Sequence, residues 1–213
     1  MHYGFTIGLQ QSVFQIKYSK DFMKNLTDTA NVVGISSAVS PSFNLGFIMD
    51  GNIDGDGKWH LRLTPGISFY EQKIRFEYAN PIFDPSNPID SYNQYSFKDE
   101  KIVAAFFEFP LMIKHRSDRR GNTRMNFILG IVPSIKVGGN RQKLDKQRLA
   151  TADYNLEVTY GVGLDQYFSF FKFAPELRFS HGISSVLFNN NSQYAKNLEA
   201  ILSHRVSLFL NFE

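Results

Sequence analysis

An all-β fold is predicted: an eight-stranded antiparallel up-and-down transmembrane β-barrel with long extracellular loops and short periplasmic turns. Three features of the sequence point to it. Apolar residues recur at every second position through most of the chain, as they do in strands whose side chains alternate between two faces. The alternating segments number about eight, an even count. The connections between them run long, short, long, short, long, short, long, the rhythm of a barrel whose two termini lie on the side of the short turns.

The clearest unit spans residues 102–137. Val103, Ala105, Phe107, Phe109, Leu111 and Ile113 line one face of its first arm, and Met125, Phe127, Leu129, Ile131, Pro133 and Ile135 line the same face of the second. The turn between the arms, DRRGNT, is tight, polar and rich in Arg. Arms of about a dozen residues exceed the usual strand of ~5 to 6. They suffice for the ~9 to 11 tilted residues that cross a bilayer.

The other strands follow in order. Residues 2–14 set Tyr3, Phe5, Ile7 and Leu9 against His2, Gly4, Thr6, Gly8 and Gln10. A polar stretch from about Lys17 to Ser40 reads as a loop, after which Phe43, Leu45, Phe47 and Met49 resume the alternation. The short turn DGNIDGDGK leads to a third strand, with Trp59, Leu61, Leu63, Ile67 and Phe69 on its apolar face. Residues 71–100, with Pro81, Pro85 and Pro88, read as the longest loop, functional or mobile. The hairpin supplies strands four and five. The basic loop GGNRQKLDKQRLATAD leads to strand six, built on Leu156, Val158, Tyr160, Val162 and Leu164. After a QYFSF turn, strand seven carries Phe171, Phe173, Leu177, Phe179 and Ile183. In the last loop, roughly 184–203, Tyr194, Leu198, Ile201 and Leu202 have helical spacing, and Val206, Leu208, Leu210 and Phe212 make strand eight.

The class turns on which face is inside. A lipocalin-like soluble barrel would point its apolar set inward and leave Arg62, Glu108, Asp165, Glu176 and Arg178 in water. The polar register is unusually rich in Gly for a solvent face, and the other register is almost purely aliphatic and aromatic, as lipid requires. Tyr3, Trp59, Phe69, Tyr154 and Phe171 fall where an aromatic girdle would lie. Eight strands close around an interior that side chains fill. The expected interior is a charge network of Arg62, Glu108, Lys114, Arg124, Glu157, Asp165, Glu176, Arg178 and Arg205, with Lys136 and Lys172 on the same register. Such a plugged barrel would have no general porin activity.

Composition narrows the function classes. The 213 residues read as one domain, 1–213, with 21 Phe and 10 Tyr, one Trp and no Cys, which excludes a disulfide framework and a thiolate metal site. Mean hydropathy is negative and no apolar run approaches ~18 residues, which excludes a spanning helix but not spanning strands. The net charge of +3 is spread over turns, loops and the polar strand face, so no nucleic acid partner is expected. Met1 leads directly into a strand, so we expect that an export signal has been removed ahead of it.

Motifs that carry chemistry are few. Asp50, Asn52, Asp54 and Gly55 match the start of a calcium loop, but Leu61 stands where a bidentate Glu is needed, and Asp-Gly pairs are ordinary turn material. His2, His60, His115, His181 and His204 show no metal-ligand spacing. His181 lies on the apolar register near the outer rim, where a lipid-modifying barrel enzyme would place a catalytic His, but position 183 is Ile rather than Ser. Arg141, Lys143, Lys146 and Arg148 form either a solvated loop or contacts to lipopolysaccharide phosphates or a partner. Asn25-Leu26-Thr27 fits a glycosylation pattern without meaning in a bacterial outer membrane. No catalytic, cofactor or metal site is expected.

HYGFTIGL from His2, the stretch Phe107 to Ile131, and the ending from PELRFSHGISSVL through NLEAILSHRVSLFLNFE resemble the PorT family of outer-membrane β-barrels over essentially the whole length. Pro110, Leu111, Lys114, Arg116, Ser117, Arg119 and Gly130, with Glu176 and Arg178, carry the resemblance, and His115 and His181 depart from it. The resemblance implies a non-enzymatic outer-membrane component or assembly factor of the type IX secretion system, which exports proteins bearing a C-terminal domain and supports gliding motility in some bacteria. Its implied partners are outer-membrane lipid and other secretion-machinery proteins. Two alternatives stay open: an outer-membrane lipid-modifying enzyme centred on His181, and an adhesion or ligand-binding barrel acting through its loops.

Overall fold

The computed structural model describes residues 1–19, 32–78, 96–139, 152–186 and 198–213. These form β1 (His2–Tyr18), β2 (Val32–Ala38), β3 (Ser40–Asn52), β4 (Trp59–Leu63), β5 (Gly66–Tyr78), β6 (Ser96–Glu108), β7 (Leu111–Arg116), β8 (Thr123–Gly139), β9 (Tyr154–Tyr167), β10 (Lys172–Gly182) and β11 (Leu198–Phe212). All pairings between them are antiparallel. Three pairs, β2 with β3, β4 with β5 and β6 with β7, are single strands interrupted by a residue or two, so the described residues make a ring of eight.

Two of the interruptions occur at prolines, which cannot donate to the ladder. The carbonyls of Pro65 and Pro110, and of Pro133 within β8, still accept: Phe47 N–H donates to the Pro65 oxygen, Thr64 N–H to that of Pro110, and Phe109 N–H to that of Pro133. The ladder therefore continues across four adjacent strands. β11 pairs with β1 and closes the ring.

The register shows how the ring closes. Following paired residues from Val13 leads through His204, His181, Val158, Ile131, Leu111, Leu63 and Met49, and returns to β1 at Tyr3. The return point is displaced along the strand, as tilted strands require. The displacement from Val13 to Tyr3 is an even number of residues, which it has to be: an odd one would bring the oily face of β1 against the polar face of its neighbour.

Burial settles the facing. Phe5, Ile7, Leu9, Phe43, Leu45, Phe47, Leu61, Ile67, Phe69, Leu129, Val162 and Leu208 are exposed on the outside, whereas Thr6, Gln10, Asn44, Arg62, Ser68, Lys114, Asn126, Glu176 and Asn211 are buried within. A soluble barrel would have the reverse. Lipid, which solvates hydrocarbon at no cost, is the medium in which an apolar exterior and a hydrogen-bonded interior are stable together. On β4–β5 the outward apolar residues run from Trp59 to Phe69 and give way at Glu71. With ~3.3 Å per residue and a tilt near 40°, that run is about 25 Å tall, the height of an outer-membrane apolar band.

Strands continue past the band on the long-loop side, and here the sequence-based boundaries need correction. β1 reaches Tyr18, β2 starts at Val32, β5 reaches Tyr78 and β6 starts at Ser96, within stretches expected to be loops. Polar residues still pair in a ladder anchored by its membrane part. Phe69 thus sits mid-strand, at the band's outer edge and stacked on Phe43 at 4.8 Å, while Tyr3, Trp59 and Phe171 lie at the periplasmic end as expected. The helical spacing at 198–202 is also overturned: Leu198–Phe212 is a strand, with Ile201 buried in it opposite Ile16 of β1. Tyr194 lies outside the described residues.

The periplasmic turns are built as their composition suggests. Asp54 accepts from the Lys58 and Trp59 amides and Asn52 from the Asp54 amide, while Gly57 supplies the left-handed backbone at φ 67°. Lys58 reaches across to Asp118 in the next turn at 2.9 Å. This contact raises the Lys58 pKa and lowers that of Asp118, the mutual hydrogen bond being the largest cause for each.

Candidate functional site

The most constrained part of the molecule is its interior, because each polar group carried inward by the strand period has to find a partner away from water. Two charged clusters stack along the axis. The periplasmic one centres on Arg62, which is wholly buried. Its Nε and one terminal nitrogen donate to Asp50 Oδ2 at 3.0 and 2.6 Å. The other terminal nitrogen donates to Glu176 Oε1 at 2.7 Å, and a further bond at 2.6 Å goes to Glu213. Lys114 donates to Asp165 at 2.7 Å and to Glu176 at 3.3 Å, and Arg178 closes on the other oxygen of Glu176. Lys172 pairs with Glu213.

His60 and Arg116 complete this cluster. His60 Nδ1 lies 2.6 Å from Asp50 Oδ1, and its Nε2 lies 3.0 Å from an Arg116 guanidinium nitrogen. Since Arg has only donors, Nε2 accepts and Nδ1 carries the proton toward Asp50. Arg116 also approaches Asp50 at 3.3 Å and Asp165 at 3.0 Å.

Nearer the outer side, Arg205 binds Glu157 through Nε at 2.8 Å and Glu108 through a terminal nitrogen at 2.8 Å. Tyr70 bonds to Glu108 and to Arg205, and Gln10 accepts from Arg205 at 3.3 Å. Arg178, stacked on Phe209 at 4.1 Å, stands between the two clusters. Cations and anions balance: Arg62, Lys114, Arg116, Lys172, Arg178 and Arg205 face Asp50, Glu108, Glu157, Asp165, Glu176 and Glu213.

Space inside is scarce. A cavity of about 30 Å³ is lined by Tyr70, Glu108 and Glu157, and one of about 10 Å³ by Arg178 and Arg205. The larger has room for water but not for a solute path. Gly163 lets the wall approach: a Cβ there would lie 2.5 Å from Glu176 Cγ. The glycine-rich polar register thus makes room for Arg and Glu side chains.

Arg62, Glu108, Lys114, Glu157, Asp165, Glu176, Arg178 and Arg205, eight of the nine residues expected in the network, are brought together in it. Arg124 is not: it is half-buried at the periplasmic mouth, opposite Asp165 in register, and its buried Nε lacks a hydrogen-bond partner. Asp50, His60, Arg116, Glu213 and Tyr70 enter the network without having been singled out for it. Asp50 was weighed as a calcium ligand, yet its carboxylate points into the lumen while Asp54 serves the turn backbone, so the two do not converge. Arg116 and His60 carried a signal, since each is two residues from an interior position on its strand. Arg141, Lys143, Lys146 and Arg148 lie outside the described residues. His181 contacts Tyr160 and His204 rather than a serine hydroxyl.

Three small barrels are among the solved structures to which the chain is similar. The attachment invasion locus protein Ail of Yersinia pestis, crystallised with the heparin analogue sucrose octasulfate, is 12% identical, with 99% of this chain and 96% of that chain covered and a TM-score of 0.36. OprG of Pseudomonas aeruginosa is 9% identical, with coverage of 98% and 93% and a TM-score of 0.44. Neisserial surface protein A is 9% identical, with coverage of 97% and 95% and a TM-score of 0.39. None of the curated proteins matches the chain. The outer membrane protein beta-barrel domain matches residues 1–187, most of the length, and its description agrees with the lipid-facing exterior and closed polar interior. The chain belongs to the outer membrane protein beta-barrel domain family and is a small β-barrel of the bacterial outer membrane.

Proposed function

We propose that this barrel is a non-enzymatic outer-membrane component that works through protein contacts at its rims and loops rather than by conducting solutes. The observation that carries this reading is the filled lumen, in which six cations and six anions are paired across the axis. A conducting path would have to break several buried ion pairs at once, and removing one partner of such a pair costs ~3 to 5 kcal/mol. Purified protein in planar bilayers should give no large steady conductance, and a stable open level would end this reading.

The resemblance to the PorT family gives the contacts a pathway: an accessory or assembly role in type IX secretion, with partners among the secretion proteins. Deleting the gene in its host should leave cargo bearing the type IX C-terminal domain in the periplasm, and re-expression should restore export. A second reading, an adhesion or ligand-binding barrel, draws on the strands that rise past the apolar band on the long-loop side. Under it, export is normal and trimming residues 80–90 reduces binding of cells to surfaces or ligands.

A further inference from the structure

The outer wall carries one polar cluster on its lipid-facing register. His181 of β10 and His204 of β11 are directly opposed in the antiparallel ladder, and their Nδ1 atoms face each other at 2.7 Å. The rings are tilted at 68° with centroids 5.0 Å apart. On the far side of each ring an oxygen waits: Gln15 Oε1 of β1 is 2.8 Å from His204 Nε2, and the Tyr160 hydroxyl of β9 is 3.1 Å from His181 Nε2. The cluster crosses four neighbouring strands at the outer edge of the apolar band, with His181 and Tyr160 exposed.

As it stands, the arrangement is satisfied by neutral rings only if one proton is shared between the two Nδ1 atoms, with the Tyr160 hydroxyl donating to His181 and His204 donating to Gln15. Two imidazole lone pairs directed at one point are also the donor set that zinc, copper and nickel prefer. Metal ligation through Nδ1 requires each ring to hold a proton on Nε2, and a ligating His ordinarily donates that N–H to an oxygen. Both acceptors are already in place. We propose that His181 and His204 chelate a borderline divalent cation, with Zn²⁺ as the reference ion, through their Nδ1 atoms, with Gln15 and Tyr160 as the residues that orient the rings.

Binding Zn²⁺ displaces the proton shared by the two Nδ1 atoms, which passes through solvent to His181 Nε2 so that none is released overall, and the Tyr160 hydroxyl turns from donor to acceptor. With Zn–N bonds of ~2.0 to 2.1 Å at a tetrahedral angle, the two nitrogens separate to about 3.3 Å, a movement side-chain rotation supplies on an open surface. Among the described residues no group of three His, Cys, Asp or Glu side chains converges, so the protein supplies two ligands and water fills the remaining positions on the exposed side. Sequence spacing does not show the pair, because 23 residues separate its members and only the β10–β11 register joins them.

The test is calorimetric titration of Zn²⁺ into the untagged folded barrel in zwitterionic detergent near pH 7.5, read beside the urea unfolding midpoint. We expect one ion per chain and a midpoint that rises with Zn²⁺. His181→Ala and His204→Ala should each abolish both effects while leaving the metal-free midpoint in place, since both side chains sit on the outer wall. Gln15→Ala and Tyr160→Phe should weaken binding by ~10- to 100-fold, and His115→Ala should change nothing. Absence of a binding isotherm in the wild type, or an isotherm that survives in both His181→Ala and His204→Ala, would overturn the proposal. Neither outcome bears on the secretion or adhesion readings.

Discussion

Replacing Glu176 by Gln tests whether the interior network holds the barrel closed. The carboxylate is fully buried and serves three cations at once: Arg62 at 2.7 Å, Lys114 at 3.3 Å and Arg178 at 2.5 Å. Gln keeps the shape and one acceptor, but removes the charge and turns an acceptor into an NH₂ that faces donors. Uncompensated charge is then left among the buried Arg62, Lys114 and Arg178. Removing one partner of a buried ion pair costs ~3 to 5 kcal/mol. With an m-value of ~2 to 3 kcal/mol/M, the urea midpoint should fall by about 1 to 2.5 M. Trp59, the single tryptophan, lies half-exposed at the periplasmic end and gives a fluorescence readout of unfolding from lipid vesicles. Asp118→Asn, which cuts the solvent-exposed pair with Lys58, is the control and should leave the midpoint in place. If Glu176→Gln moves the midpoint no further than Asp118→Asn, the network contributes nothing to closure and the reasoning fails.

Leu129, exposed on the outer wall between Ile113 and Tyr160, should cost ~2 to 4 kcal/mol when changed to Arg, and urea unfolding from vesicles checks this. If Leu129→Arg left the midpoint in place, the mid-membrane placement of Leu129 would be wrong. Gly163→Ala places a methyl 2.5 Å from Glu176 Cγ and should destabilise by ~1 to 3 kcal/mol, with a Glu176→Ala background, which removes Cγ, shrinking the effect if the clash is with that side chain. Asp118 should titrate below 3.8, and more nearly at the ordinary value in Lys58→Ala, as read by carboxyl NMR in micelles. Because its folded pKa is depressed, whatever the turn contact contributes is present above the ordinary aspartate range and is lost as pH falls through the lowered value.

Periodicity determined much of this protein before any contact was known. Side chains in a strand alternate strictly, so a single register assignment on each segment sorted Leu129 from Asn126 and Leu61 from Arg62, and the excess of Gly on one register told which side was crowded. Chain order and loop rhythm then left one topology, because strands joined by short turns pair with their neighbours. Strand ends were less legible. Lys17–Tyr18 and the short segment Val32–Ala38, with Gly34, Ser36 and Ser37, resemble loop when read locally, but the ladder anchored in the membrane continues through them. The helical spacing at Leu198, Ile201 and Leu202 lost to the same effect, since β1 and β10 offer β11 backbone partners that an isolated helix would have to forgo.

Tertiary structure alone decided which opposite charges meet. Asp50 and Arg62 are joined across a turn, but Arg62 and Glu176, and Arg205 and Glu108, are set by closure and stagger, which place distant residues at one height. Alternation says only that a side chain points inward or outward. Its neighbour along the axis depends on the register of all eight strands together, a property of the closed ring that no single segment contains.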